Sequence, residues 1–117
     1  MSALVTNLKA LRELLTPPDR WTRGEYARNA SGVRTMPTAK DAQCFCLSGA
    51  MSRVALRDGT LVANAYYLAL RDALADSLPN KDPISRNNPL VAFNDIASHE
   101  EVLALIDKTI TKVEANG

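Results

Sequence analysis

The stretch "TAKDAQCFCLSGAMSRVALRDG", residues 38–59, decides how this chain is expected to fold. Thr38, Ala39, Lys40 and Asp41 have the form of a capping box, with Thr38 as the cap and an acid three residues on. A helix entered there runs to about Arg57 and lays Cys46, Leu47, Ala50, Met51 and Val54 on one face. Asp58-Gly59 ends it, with glycine free to take the positive φ that follows a last turn.

This placement governs how the two cysteines are read. Positions two apart on a helix point roughly 200° away from each other, so Cys44 and Cys46 cannot share one ion. Zinc held by Cys44, Cys46, Asp95 and His99 is therefore disfavoured, although all four are ligand types. About two turns inside a helix, Cys46 also lies beyond the first-turn N–H groups that favour a thiolate. That weakens a nucleophile with His99 as base and Asn94 or Asp95 orienting the ring. A free cysteine packs like a small hydrophobe, and Gly49 and Ala50 let another element come close. Core packing is the preferred reading, with no cofactor and no metal.

Outward from this stretch, Leu4, Leu8, Leu11 and Leu15 recur at helical spacing, so helix one is expected over about Ala3–Leu15. Ser2 is its cap, and Pro17-Pro18 its stop. "EYARN" and "VRTM" flank "ASG", which predicts a short β-hairpin between helices one and two, anchored by Trp21 and Tyr26. Thr60 caps a third helix to about Leu78, whose broad apolar stripe (Val62, Tyr66, Ala69, Leu70, Ala73, Leu74) makes it the expected central helix. Residues 79–97 carry three prolines and read as a long connection pinned by Leu90, Val91 and Phe93. Asn94 and Asp95 in it suggest an Asx-turn, with a pocket floor for a ligand amide or amine as the functional alternative. Ser98-His99-Glu100-Glu101 is a second capping box. It opens helix four, with Val102, Leu103, Ile106, Ile110 and Val113 as the buried face. The expected fold is mainly α: one domain over 1–117, a bundle of about four helices with a hairpin insert.

Composition narrows the functional classes. The 117 residues are 46% hydrophobic and 23% charged, as in an ordinary globule. No run approaches the ~18 apolar residues of a membrane helix. "MSALVTNLKALRELL" is interrupted by Lys9, Arg12 and Glu13 and reads as helix rather than export signal. A cytoplasmic chain with reduced thiols is expected. Residues 1–40 hold seven Lys/Arg against three Asp/Glu, and the remainder seven against ten. Arg20, Arg23, Arg28 and Arg34 around the hairpin aromatics are a nucleic-acid candidate, disfavoured by the near-neutral total charge. There is no Gly-rich phosphate loop, no G-x-S-x-G, no H-E-x-x-H and no EF-hand pattern, which lowers the expectation of an enzyme.

Three pieces in order, "RWTRGEYARNASG" (20–32), "AQCFCLSGAM" (42–51) and "FNDIASHEEVLALIDKTI" (93–110), resemble a family of small uncharacterised phage and bacterial proteins. Trp21, Gly32, Phe45, Cys46, Gly49, Ala50, Phe93, Asn94 and Asp95 match its motif positions; Cys44 does not clearly belong. The resemblance implies a cytoplasmic protein carried by a phage or mobile element, and it brings no activity. It groups Trp21, Cys46, Asn94 and Asp95 as one shared surface or polar cluster.

The leading expectation is a binding protein that acts through a protein partner, with Trp21, Arg23, Cys46, Asn94 and Asp95 as its surface. Self-association through exposed faces of helices one and four is a further expectation. A small enzyme or ligand-binding protein using Cys46, Asn94, Asp95 and His99 is the alternative.

Overall fold

The computed structural model describes residues 2–79 and 88–116. Helix α1 (Ala3–Leu15) starts as its sequence demands, with the Ser2 hydroxyl accepting the Val5 N–H at 3.2 Å. Leu8, Leu11 and Leu15 are completely buried. Burying each contributes about 1.5–3 kcal/mol, so this one stripe seats the helix. The two prolines end α1, and Pro18–Arg20 form a single 3-10 turn leading to Trp21.

The two-stranded sheet departs from the expected hairpin. Strand β1 (Ala27–Asn29) pairs antiparallel not with "VRTM" but with β2 (Ala42–Phe45), in the register Ala27↔Phe45, Arg28↔Cys44 and Asn29↔Ala42. "VRTM" contributes only the isolated bridge Arg28↔Arg34. The turn itself is as read: Gly32 has φ +79°, and the Asn29 side chain accepts the Ser31 and Val33 N–H groups at 3.0 Å.

The helix expected from Thr38 is corrected as well. Helix α2 spans Leu47–Leu56, and Cys46, at φ −75° and ψ 173°, is its cap rather than an interior residue. Thr38–Asp41 form turns, and the Asp41 carboxylate is taken by Asn29 and Thr35 instead of a helix N-terminus. Long-range backbone bonds override the local signal here. Thr22 N–H donates to Phe45 O at 3.0 Å, and Cys46 N–H to Tyr26 O at 3.2 Å. These bonds hold residues 42–46 extended, so the helix starts only after them.

Helix α3 (Thr60–Asp76) follows Gly59, whose φ of +104° makes the sharp entry. It is not central: only Leu70 and Leu74 are buried, and Leu61 is 99% exposed. The core instead gathers where α1, α2 and the C-terminal end of α3 meet two further helices.

The expected long connection contains a fifth helix. Residues 80–87 lie outside the described residues, but α4 spans Pro89–Ile96, with proline in its first turn, where no N–H is needed. Leu90 is buried, and Val91 and Phe93 are partly buried, as read. Asn94 and Asp95 therefore stand on a helix, not in an Asx-turn.

Helix α5 (His99–Asn116) opens with the capping box realised: Glu101 N–H donates to Ser98 Oγ at 3.1 Å, and Ser98 N–H to Glu101 Oε1 at 2.9 Å. Val102, Leu105, Ile106 and Thr109 are its buried residues, while Leu103, Ile110 and Val113 pack at the margin. Arg12–Asp107 and Lys9–Glu114 ion pairs tie α1 along α5 within the chain. Among the described residues, no helix is long and apolar enough to cross a membrane.

Candidate functional site

Where the 3-10 turn, the β2–α2 junction and α4 meet, one amide organises the backbone. Asn94 is fully buried. Its Oδ1 accepts the Trp21 indole N–H at 2.7 Å and the Leu47 N–H at 3.1 Å, and its Nδ2 donates to Thr22 O at 3.1 Å. Leu47 is the first residue of α2, so Asn94 satisfies one of the N–H groups a helix start leaves without an intrahelical partner. The helical setting of α4 aims this side chain inward, and Trp21, leaving the 3-10 turn extended, meets it.

Trp21 is flanked on its other sides. The His99 ring lies 5.7 Å from it at 39°, and the Arg23 guanidinium 5.1 Å from its centroid. Arg23 donates through Nε to Ala97 O at 3.1 Å, with Nη2 on the same oxygen. His99 Nε2 is 2.6 Å from Leu15 O and, protonated there, donates to it. The histidine thus braces α1 and Trp21, and its hydrogen bond is not to Cys46.

Cys46 is 5% exposed, and its Sγ accepts the Gly49 N–H at 3.3 Å. Burial pushes the thiol above the usual range. The Gly49 and Ser48 N–H groups pull it down, the Asp95 carboxylate pushes it up, and the net direction is upward. The cap position does bring helix N–H groups to the sulfur, which the sequence reading missed. Desolvation nevertheless outweighs them, so the thiol stays protonated at neutral pH. Cys44, on β2, faces the Arg28 carbonyl at 4.0 Å, and the two cysteines are free. Among the described residues, no group of three or more His, Cys, Asp or Glu is placed to hold a metal ion.

Beside this framework lies a crevice of about 200 Å³. Gly24, Glu25 and Tyr26 form one wall, Val91 and Asp95 the other, and the buried Cys46 and Asn94 its inner end. Glu25 and Asp95 make no hydrogen bond or ion pair among the described residues, and no lysine or arginine lines the space. Tyr26 was expected to anchor the hairpin inward; it is 53% exposed and forms the rim instead. Its backbone, not its ring, is what packs: a Cβ on Gly49 would sit 1.8 Å from Tyr26 O.

The structure therefore brings Trp21, Cys46, Asn94 and Asp95 to one place, with Arg23 stacked at its edge. Glu25 and Val91 are members that sequence reasoning missed. Glu25 carried a signal, being the only acid between Arg20 and Lys40, but nothing local tied it to Asp95. The hairpin arginines are largely committed to the fold. Arg20 donates to Gln43 O at 3.4 Å, and Arg28 to Gly32 O at 3.2 Å and Arg23 O at 3.3 Å. Arg34 is exposed.

Residues 2–112 match a family of unknown function, DUF6197, and the chain belongs to that family. No curated protein and no solved structure matches it.

Proposed function

We propose that this member of the family is a binding protein, and that the crevice over Cys46 and Asn94 receives a lysine or arginine side chain of a protein partner. The observation that carries the reading is the pair of carboxylates, Glu25 and Asp95, on one crevice that no lysine or arginine lines, with neither in an ion pair among the described residues. A cation entering between them gains Coulomb energy in a partly desolvated space, while Tyr26 and Val91 offer apolar surface for its aliphatic stem. Size supports a side chain over a free metabolite. Small-molecule pockets usually run to about 300–1,000 Å³, and this one is about 200 Å³.

Cysteine-based catalysis has less support, since the Cys46 thiol is held protonated and His99 is committed to Leu15 O. Phosphate binding by Arg20, Arg23, Arg28 and Arg34 has less support too, because three of them are spent on backbone carbonyls. A cytoplasmic setting belongs to this proposal, and so does a phage or mobile-element origin, the latter resting on the motif resemblance alone.

The test is an amide NMR titration of the full chain with N-acetyl-lysine-methylamide. The reading expects shifts at Gly24, Cys46 and Asp95 that vanish in Glu25→Gln and Asp95→Asn and weaken with salt. Shifts that survive both substitutions, or no shifts at these amides, overturn it.

A further inference from the structure

Helices α1 and α2 leave an open groove of about 420 Å³ between them. Ala10 and Leu14 of α1 and Val54 of α2 give it apolar surface. Glu13 stands on its α1 side, and Arg53 and Arg57, one turn apart, stand on its α2 side. The groove shares no residue with the crevice over Cys46 and Asn94, so the two are separate sites.

Opposite charges on two sides of one groove would ordinarily close on each other, yet here they do not meet. Glu13 enters no ion pair among the described residues. Both guanidinium groups are tied down elsewhere. Arg53 donates through Nη1 to Pro37 O at 3.0 Å and Ala39 O at 2.8 Å, and lies 5.7 Å from the Phe45 ring centroid. Arg57 donates through Nη2 to Oδ1 of the buried Asn7 at 2.9 Å, with Asp58 4.0 Å from its Nε. A guanidinium carries several donors in a rigid fork. Nε and Nη2 of Arg53 and Nη1 of Arg57 make no hydrogen bond among the described residues. The neighbouring cations of α1, Lys9 and Arg12, are paired with Glu114 and Asp107 of α5. What remains is a cationic side, an anionic side and an apolar floor, held apart.

We propose that this groove binds a free α-amino acid with an apolar side chain. Its carboxylate takes the remaining N–H groups of Arg53 and Arg57, its ammonium faces Glu13, and its side chain lies on Ala10, Leu14 and Val54. Only a zwitterion answers both charged sides at once. An apolar carboxylate would leave Glu13 unanswered, and an apolar amine would leave the two arginines so. Guanidinium forks suit a carboxylate in particular, because two parallel N–H bonds fit its two oxygens. The volume agrees with a small molecule, since such sites usually run to about 300–1,000 Å³. The groove is open to water and its charges are screened, so the affinity falls in the millimolar range.

Amide NMR titrations of the full chain with L-leucine, isocaproate and isoamylamine test this. The last two are leucine without its amine and without its carboxylate. Leucine is expected to shift the Ala10, Leu14 and Val54 amides saturably, and the two analogues to bind at least roughly tenfold more weakly. Glu13→Gln removes the preference for leucine over isocaproate. Glu13 is exposed and in no ion pair among the described residues, so this variant keeps the wild-type amide spectrum outside the groove. Glu25→Gln, in the crevice, leaves all three titrations unchanged, which separates this site from that one. No saturable shift at these amides overturns the proposal. So does equal binding of the three compounds, or a leucine preference that survives Glu13→Gln. Saturation by the amide of N-acetyl-leucyl-aspartate where free leucine gives none would place a protein segment in the groove, and overturns it as well.

Discussion

Asn94 shows how much one side chain can carry. From a fully buried position it answers an indole N–H, a helix-start N–H and a carbonyl. Truncation leaves three polar groups unpaired, each costing about 1–3 kcal/mol before relaxation or water entry recovers part of it. Asn94→Ala is therefore expected to lower the unfolding free energy in urea by about 3 kcal/mol; a loss below about 1 kcal/mol would mean the network is dispensable. Gly49 is the converse case, where a missing side chain matters. In an open helix, Gly→Ala stabilises by about 1 kcal/mol, but here the new Cβ would meet the Tyr26 carbonyl at 1.8 Å. The clash is with backbone and cannot be relieved by a rotamer, so Gly49→Ala is expected to destabilise by about 2 kcal/mol or more. A stabilised variant in the same urea titration would show that β1 is not held against α2. Cys46 adds a pH signature. Its raised pKa means the folded state holds the thiol proton more tightly than the unfolded chain does. The stability it contributes is intact at neutral pH and is lost as pH rises past the unfolded thiol value of about 8.5. Urea midpoints of the wild type are expected to fall more steeply than those of Cys46→Ala between neutral pH and the alkaline range; parallel curves would contradict the shift.

Elements were legible where local chemistry and tertiary context agree. Helix α1 carries cap, stripe and stop in one window, α5 carries cap and stripe, and the Ser98–Glu101 box closes at both of its hydrogen bonds. Ser98→Ala is expected to cost about 1 kcal/mol in chemical denaturation; no change would show that the first turn of α5 is held by packing alone. The box at Thr38–Asp41 has the same letters and no helix. What differs is long-range: Thr22 and Tyr26 bond the backbone of Phe45 and Cys46, and no window around Thr38 contains that fact. Helix α4 was hidden for the opposite reason, since Asn88-Pro89 reads as loop although proline suits a first helical turn. Helix α3 was found but misplaced. With apolar residues spread widely around it, periodicity cannot say which side faces the core, and the exposure of Leu61 becomes visible only once α1 and α2 are in position. The site shows the same split. Trp21, Cys46, Asn94 and Asp95 stood out as peculiar residues in peculiar settings, whereas Val91 joins them only because α4 is a helix that places it one turn before Asn94 and Asp95, and Glu25 only through the crossing of the chain at Tyr26.

At the scale of the whole molecule, Trp21 sits at a junction of almost everything else. It bonds α4 through Asn94, stacks on His99 at the start of α5, carries Arg23 on its face and bridges to Phe45 of β2. His99 in turn holds the last carbonyl of α1, and Asn94 the first N–H of α2. An indole so placed cannot be released by fraying of one edge, because each neighbour belongs to a different element of one core. Unfolding that separates any two of these elements changes its surroundings. The sole tryptophan is therefore expected to report the global transition. Its fluorescence and the far-UV circular dichroism should give coincident midpoints in urea, the behaviour of a two-state domain. The alternative is a two-stage molecule in which the 3-10 turn, the sheet and α4 detach first from a surviving bundle of α1, α2 and α5. In that case the fluorescence transition precedes the helical one, and the crevice between Glu25 and Asp95 opens independently of the core. The hydrogen bond from the Leu47 N–H to Asn94 and the packing of Trp21 on His99 argue for the first outcome, since each crosses the boundary along which the second would have to break.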